Sequence, residues 1–140
     1  MSGELASDEI FMPEATNKRV CGSSWGWLVL EGTNVREVSL LNPLTRCAIQ
    51  LPSVDTFTRR LNCEGEPDVP LDGFSYIHKA ILSMNPAISE QDCIIMAIVG
   101  KMRKLSYCRI GDKKWTNVEG CLPGLRDIIY YEGKFYGTND

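Results

Sequence analysis

The sequence predicts an all-β chain, an incomplete β-propeller of about two and a half four-stranded antiparallel blades. From residue 20 onward, short runs of apolar and β-branched residues are separated by Gly, Pro, Asn and Asp. That pattern is typical of consecutive antiparallel strands. The same succession of strands and turns then occurs a second time, and no long segment has the apolar spacing of a helix. These observations together predict stacked four-stranded sheets.

The first predicted blade covers residues 18–52. Residues 32–34 (Gly-Thr-Asn) predict a hairpin turn, because glycine and asparagine accept positive φ angles. Asn42 and Pro43 end the following strand, since proline cannot donate to a β-ladder. The predicted strands of this blade are residues 27–30, 35–41 and 47–51.

The remainder of the chain divides into a connection, a second blade and a half blade. Residues 52–73 contain three prolines and two glycines without a sustained apolar period, which predicts a long connection. In the loop before the second strand of the second blade, one helical turn is predicted at Ser89. Glu132 and Gly133 predict a two-residue hairpin loop in the half blade. The predicted units are a flexible segment 1–17, a partial propeller domain 18–140, the connection 52–73, a blade 74–119 and a half blade 126–140. Their strands are residues 74–83, 93–99, 105–110, 115–118, 127–131 and 134–137, with a tight turn at 111–114.

The repeat is visible when the two units are aligned. An offset of 69 places residues 27–30 on residues 96–99, and the turn pair that ends each following strand also coincides. A closed propeller takes about 4 to 8 blades, so this chain leaves an open sheet edge. A fragment or truncated product is the simplest interpretation. A self-contained β-sandwich or small barrel built from the same strands is the alternative.

Composition and charge exclude several classes of partner. The 140 residues carry 15 Lys and Arg against 18 Asp and Glu, for a net charge of -3. No summed positive field attracts a polyanion, which argues against nucleic acid. The longest apolar run, residues 93–99, is far shorter than a membrane-spanning helix, and the polar N-terminus lacks the features of a signal peptide. We therefore expect no membrane partner and a cytoplasmic or nuclear location.

The residues that usually carry chemistry show no catalytic, cofactor-binding or metal-binding pattern. The cysteines include no CxxC pair, and Cys93 and Cys108 lie in apolar runs, which favours six reduced structural cysteines. His78 is the sole histidine and lies in an apparent strand, so we interpret it as a partly exposed strand residue. The carboxylates have no metal-loop or acid/base spacing, and Gly100 and Gly111 form no phosphate loop. The cysteines are Cys21, Cys47, Cys63, Cys93, Cys108 and Cys121.

Aromatic and basic residues are the remaining candidates for a binding surface. Trp25 and Trp27 flank Gly26, so we expect both indoles on one face of a strand, packing in the core as does Trp115. Tyr130 and Tyr131 must face opposite ways, so at most one of them shares a face with the core; with Tyr136, they could form a binding surface. We expect the basic cluster to form solvated turns rather than a phosphate site. That cluster comprises Lys101, Arg103, Lys104, Lys113 and Lys114.

Five segments in order resemble the plant F-box-associated β-propeller family, the KIB-type domain, which is similar in appearance to kelch propellers. The segments are CGSSWGWLVL (21–30), VSLLNPLTRCAIQLPS (38–53), IHKAILSMNP (77–86), CIIMAIVGKMRKLSYCRIGDKKWTNVE (93–119) and DIIYYEGKFYGTND (127–140). The resemblance runs from about residue 18 to the end, and its combination of motifs is specific.

This resemblance implies an incomplete kelch-like propeller that acts as a non-catalytic protein-interaction module, like the substrate-recognition propeller of F-box ubiquitin ligase adaptors. It implies a protein partner, the substrate. A Skp1-type adaptor is implied only for a longer form that carries an F-box, since residues 51–55 are followed by a segment too rich in proline and polar residues for F-box helices. Two alternatives stay open. One is a metal-dependent kelch-like enzyme, which a single histidine argues against; the other is a degenerate product without independent function.

Overall fold

The computed structural model describes residues 17–33, 36–56 and 76–139, and these residues form three antiparallel sheets. Two sheets have four strands, in the orders β1-β2-β3-β4 and β5-β6-β7-β8, and the third consists of β9 and β10. A single 3-10 turn, Val54–Thr56, follows β4, and no helix in the described ranges is long or apolar enough to cross a membrane. The strands are β1 Lys18–Ser24, β2 Trp27–Gly32, β3 Val38–Leu41, β4 Ala48–Leu51, β5 Ile77–Leu82, β6 Ile94–Val99, β7 Lys104–Arg109, β8 Thr116–Asn117, β9 Asp127–Tyr131 and β10 Lys134–Thr138.

The predicted all-β fold of two and a half blades is therefore confirmed, with short adjustments at the strand ends. β9 begins and ends where the sequence predicted, and β3 and β4 end at the predicted Leu41 and Leu51. The turn before β6 contains a hydrogen bond between the Asp92 amide and Ser89 Oγ but no helix, so the helical turn predicted at Ser89 is wrong. Predictions that concern residues 1–16, 34–35 and 57–75 lie outside the described residues.

The sequence did not predict β1. The presence of this strand also corrects the prediction that Trp25 and Trp27 share a face. β1 precedes the first predicted strand and pairs with β2, with Ser24 opposite Trp27. Trp25 and Gly26 are thus the two residues of a hairpin turn, both with positive φ, and they do not lie in a strand. As a result the two indoles do not share a face: Trp27 is 3% exposed in the core, and Trp25 is 58% exposed.

The two four-stranded sheets repeat the same local irregularity. The register between β1 and β2 shifts at Cys21, and the register between β5 and β6 shifts at His78. Just before each bulge, Val20 lies opposite Leu30 and Ile77 lies opposite Val99. Leu30 and Val99 differ by the predicted offset of 69, so the sequence repeat coincides with a structural repeat of β2 and β6.

The first strands of successive sheets lie side by side and run in the same direction. Gly22 of β1 approaches the backbone of Ala80 in β5 so closely that an added Cβ would lie 2.0 Å from the Ala80 carbonyl oxygen. Further along, the Leu82 amide donates to Ser24 Oγ at 3.2 Å. β9 continues the series, because Asp127 at its start pairs with Lys79 of β5. The three sheets therefore follow one another like the blades of a propeller.

Apolar side chains fill the spaces between the sheets. The larger cluster packs β2 and β3 of the first sheet against β5 and β6 of the second, with Trp27, Val29, Leu40, Ile95 and Val99 among its buried members. The smaller cluster packs the opposite face of the second sheet against the third sheet; it comprises Ile81, Met96, Ile98, Leu125 and Ile128. Alternation along β6 thus directs successive residues to two different interfaces.

A buried carboxylate joins the first two sheets. Glu31 at the end of β2 is nearly inaccessible, and its two oxygens accept hydrogen bonds from the backbone amides of Tyr76 at 2.8 Å and Ile77 at 3.3 Å. Arg19 lies 3.5 Å from Glu31 and also donates to the carbonyl oxygen of Ile77. The charge of Glu31 is balanced and its acceptors are used, as a buried carboxylate requires.

Candidate functional site

The turns that follow the first and third strands of the sheets lie together at one end of the molecule. Because β1, β5 and β9 run in the same direction side by side, the turns that follow them lie at the same end of the stack. The β3–β4 and β7–β8 turns join this end, since adjacent strands are antiparallel. We call this end the hairpin face, and it consists of the turns 25–26, 42–47, 83–93, 110–115 and 132–133 together with the strand ends beside them.

The hairpin face presents most of the large, exposed apolar side chains in the described turns. Leu44 is 94% exposed and Ile88 is 77% exposed, each in a turn of this face, and Trp25 is the third. At the opposite end of the sheets, the comparable side chain in the described turns is Leu122. Single exposed apolar residues are ordinary on protein surfaces, but several on one face indicate an interaction surface.

Trp25 is held in an unusual conformation at the tip of the β1–β2 hairpin. Its φ is 57° and that of Gly26 is 82°, which matches a two-residue type I′ turn. This position favours Asn, Asp or Gly, and a bulky residue there is an outlier. The indole Nε1–H donates to the carbonyl oxygen of Leu82 at 3.3 Å, so the exposed ring has a fixed orientation.

Asparagine side chains hold the neighbouring turns in place. Asn42 Oδ1 accepts hydrogen bonds from the amides of Leu44 at 3.0 Å and Thr45 at 3.2 Å. Asn85 Oδ1 accepts from the Ala87 amide at 2.9 Å and from the indole of Trp27 at 3.0 Å. Such local side-chain bonds to the backbone shape turns. The exposed Leu44 and Ile88 are thus carried on ordered loops.

An open cleft of about 350 Å³ lies at the ends of the first strands. Ser24 and Trp25 form one side, Ile81 and Leu82 form the base, and residues 128–130 of β9 form the other side. The ring of Tyr130 is oriented by an edge-to-face contact with Phe135, with the ring centres 4.8 Å apart. No lining residue is charged, so the cleft is a neutral, largely apolar recess on the hairpin face.

The three tyrosines predicted as a possible surface divide between the faces of the third sheet. Tyr130 lies on the face that carries the buried Ile128, whereas Tyr131 is exposed on the other face. Tyr136 lies opposite Ile129 in β10 and is exposed with it. The predicted opposition of Tyr130 and Tyr131 is therefore confirmed, and Tyr130 alone contributes to the cleft.

The basic cluster is split by the structure. Lys101 and Arg103 lie in the β6–β7 turn at the end opposite the hairpin face, with Lys104 beginning β7. Lys113 and Lys114 lie in the β7–β8 turn on the hairpin face. The two groups thus occupy opposite ends of β7 and do not form a single positive surface.

The side chains that could be reactive, His78 and the buried cysteines, are hydrogen-bonded or enclosed within the fold. His78 Nε2 lies 2.6 Å from the Gly100 carbonyl oxygen, which places the ring proton on Nε2 because a carbonyl only accepts. Burial raises the pKa of the Cys21 thiol to about 11 and also raises the pKa of Cys93 and Cys108. Within residues 17–33, 36–56 and 76–139, no three His, Cys, Asp or Glu side chains are grouped closely enough to hold a metal ion.

Comparison with known proteins agrees with this architecture. The model of the KIB1-4 β-propeller family matches residues 4–140. A protein of Arabidopsis thaliana whose name describes it as a putative F-box protein is 29% identical over 124 residues, which is 86% of this chain. The chain spans about 31% of the length of that curated relative. No solved structure matches the chain significantly.

Proposed function

The chain belongs to the KIB1-4 β-propeller family, and from that membership we propose that it is a non-catalytic protein-interaction module, part of the propeller that captures substrates for an F-box ubiquitin ligase. The observation that carries this proposal is the set of exposed apolar side chains on the hairpin face. Trp25, Leu44 and Ile88 come from three different hairpins of two successive sheets. A surface assembled in this way suits contact with another protein.

We assign the two binding roles to different parts of a longer protein, because the chain spans about 31% of the length of its relative. A longer form that carries an F-box would bind a Skp1-type adaptor through the F-box and the protein substrate through the propeller. The hairpin face contributes part of the substrate surface, because loops on a rigid sheet scaffold are where binding residues concentrate. The name of the Arabidopsis relative supports this assignment.

The test compares two sets of substitutions that remove exposed apolar side chains from opposite ends of the sheets. The hairpin-face variant carries Trp25→Asn, Leu44→Ser and Ile88→Ser. The control carries Leu122→Ser, which lies between β8 and β9 at the other end. Tagged wild type and both variants are expressed in plant cells, and co-purifying proteins are quantified by mass spectrometry.

We expect a protein that co-purifies in near-stoichiometric amount with the wild type and the control and is lost from the hairpin-face variant. Unfolding midpoints of the three proteins verify that each is folded. Partners that persist in the hairpin-face variant would contradict the assignment of the surface. The absence of any stoichiometric partner for the wild type would contradict the proposed function.

A further inference from the structure

Trp25 combines two features that work against folding. Its backbone occupies the left-handed region at φ 57°, and the residue is 58% exposed. In the equivalent turn of the third sheet, the same position holds the polar Glu132, which has φ 49°. Residues that break local rules tend to lie at functional sites.

We propose that the cleft between Trp25 and Tyr130 binds a single uncharged, apolar side chain presented by a partner protein. This inference rests on the proposed function, because it names the chemistry that the hairpin face recognises. The floor of the cleft is formed by Ile81 and Leu82, and its sides by an indole and a phenol. Tryptophan and tyrosine are the residue types that most often dominate binding at protein interfaces.

Two polar groups of the cleft already have partners within the chain, which leaves less for a polar ligand to bind. The indole Nε1–H donates to the Leu82 carbonyl, and Ser24 Oγ accepts from the Leu82 amide. A polar side chain entering the cleft would lose its water without gaining these groups as partners. An apolar side chain has no such penalty.

Charge points to the same ligand. Lys79 and Asp127, which precede the cleft residues on β5 and β9, are paired with each other. The lining residues carry no charge, so neither an ammonium nor a carboxylate would meet an opposite charge inside the cleft. The uncharged lining of the cleft is therefore complementary to an uncharged side chain of the partner.

The size and openness of the cleft fit one side chain on an extended segment. Its volume of about 350 Å³ lies near the lower end of the range for ligand pockets, about 300–1,000 Å³, and one side is open. A small molecule would remain largely exposed there. A side chain attached to a longer segment would fill the recess, while the segment lies across the hairpin face.

The experiment uses the whole chain as bait for a phage library of random twelve-residue peptides. The selected peptides are synthesised, and their affinities are measured by fluorescence anisotropy for wild type, Trp25→Asn, Tyr130→Ala and Leu122→Ala. Trp25→Asn removes the indole and introduces a residue that the type I′ turn favours, so it should retain the wild-type cooperative unfolding. Leu122→Ala is the matched control, because Leu122 is an exposed apolar residue at the opposite end of the sheets and neither belongs to the hairpin face nor lines the cleft.

We expect peptides that share one large apolar residue, with affinity falling at least about tenfold in Trp25→Asn and Tyr130→Ala and less than about twofold in Leu122→Ala. Binding peptides should also protect Trp25 from quenching by acrylamide, since Trp27 and Trp115 are buried in any case. Charged consensus motifs, no enrichment, or affinities independent of Trp25 would overturn the cleft assignment. The natural partner separates the two proposals. If it is lost from a hairpin-face variant that retains Trp25 but still binds Trp25→Asn, the proposed function stands and this inference fails.

Discussion

At the scale of single residues, the cysteines differ in their access to solvent and in the ionisation of their thiols. Cys21, Cys93 and Cys108 are buried, and Cys47 is exposed. Burial disfavours the thiolate, and it raises the pKa of Cys21 to about 11. The thiolate is the nucleophile, so a buried thiol with a raised pKa is both shielded and protonated at neutral pH.

We therefore predict that iodoacetamide at pH 7.5 modifies Cys47 in the folded chain at least about tenfold faster than Cys21 or Cys108. Raising the pH to 9 should leave this order unchanged, because that value is still below the pKa of Cys21. The measurement is peptide mapping by mass spectrometry over a time course. In urea, where burial is lost, the rates should converge. Equal rates in the folded chain would contradict the buried positions of Cys21 and Cys108.

Trp25 shows what the sequence could not reveal about a single residue. Alternation predicted that Trp25 and Trp27 share a face, but this holds only if Gly26 lies within a strand. The segment Ser24-Trp25-Gly26-Trp27 also fits a two-residue turn with glycine at its second position. That glycine was the sequence signal for the hairpin. Tryptophan in place of the usual asparagine concealed it. The residue that breaks the turn rule is the one that forms the candidate site.

At the scale of elements, the sequence predicted the strands with buried faces better than the strand without them. β6 is apolar throughout and was found directly, whereas β1 is polar, with only Cys21 buried. The link from Glu31 to Tyr76 could not be predicted from the sequence either, because an acidic residue next to a turn glycine is expected to be exposed. Its partners lie 45 and 46 residues further along the chain. Such contacts depend on how the sheets stack, which local patterns do not encode.

The close approach of β1 and β5 gives a prediction at this scale. Gly22→Ala would place a methyl group 2.0 Å from the Ala80 carbonyl oxygen, a backbone atom that cannot move independently of β5. We expect the free energy of unfolding to fall by at least about 2 kcal/mol, as in overpacked sites. Urea denaturation of the full chain measures the change.

Gly137→Ala is the matched control, because it also adds a methyl group to a strand glycine. There the nearest atoms, at 3.1 and 3.3 Å, belong to the flexible side chain of Leu125. We expect a loss below about 1 kcal/mol. A Gly22→Ala protein as stable as Gly137→Ala would show that β1 and β5 are further apart than described.

At the scale of the whole molecule, the repeat was predictable because the second strands of the two sheets are the most apolar. The offset of 69 aligned β2 with β6, and their faces correspond: Val29 packs toward the second sheet as Ile98 packs toward the third. The first strands of the two sheets do not align at the same offset. The reason is that a two-residue turn follows β1, whereas the longer loop 83–93 follows β5. Loop length varies without disturbing the sheets, so a single offset recovers only part of the repeat.

The two interfaces between sheets are unequal, and this predicts unequal local stability. The first interface buries side chains from most strands of two full sheets, and Trp115 additionally donates to the Pro52 carbonyl at 2.7 Å. Among the described residues, the second interface has five buried members, and Ile128 is the one that comes from β9 or β10. Elements with few buried apolar contacts open at lower free energy than the core.

We therefore expect the backbone amides of β9 and β10 that face each other to exchange hydrogen at least about 100-fold faster than those of β2 and β6. Hydrogen exchange followed by mass spectrometry of the intact chain tests this. Ile128→Ala removes the main anchor of β9 and should accelerate exchange in β9 and β10 while leaving β2 at the wild-type rate, since large-to-small substitutions act mainly on the sheet that loses the contact. Uniform acceleration across all three sheets would instead mean that they unfold as one cooperative unit, with the third sheet as firmly held as the first two.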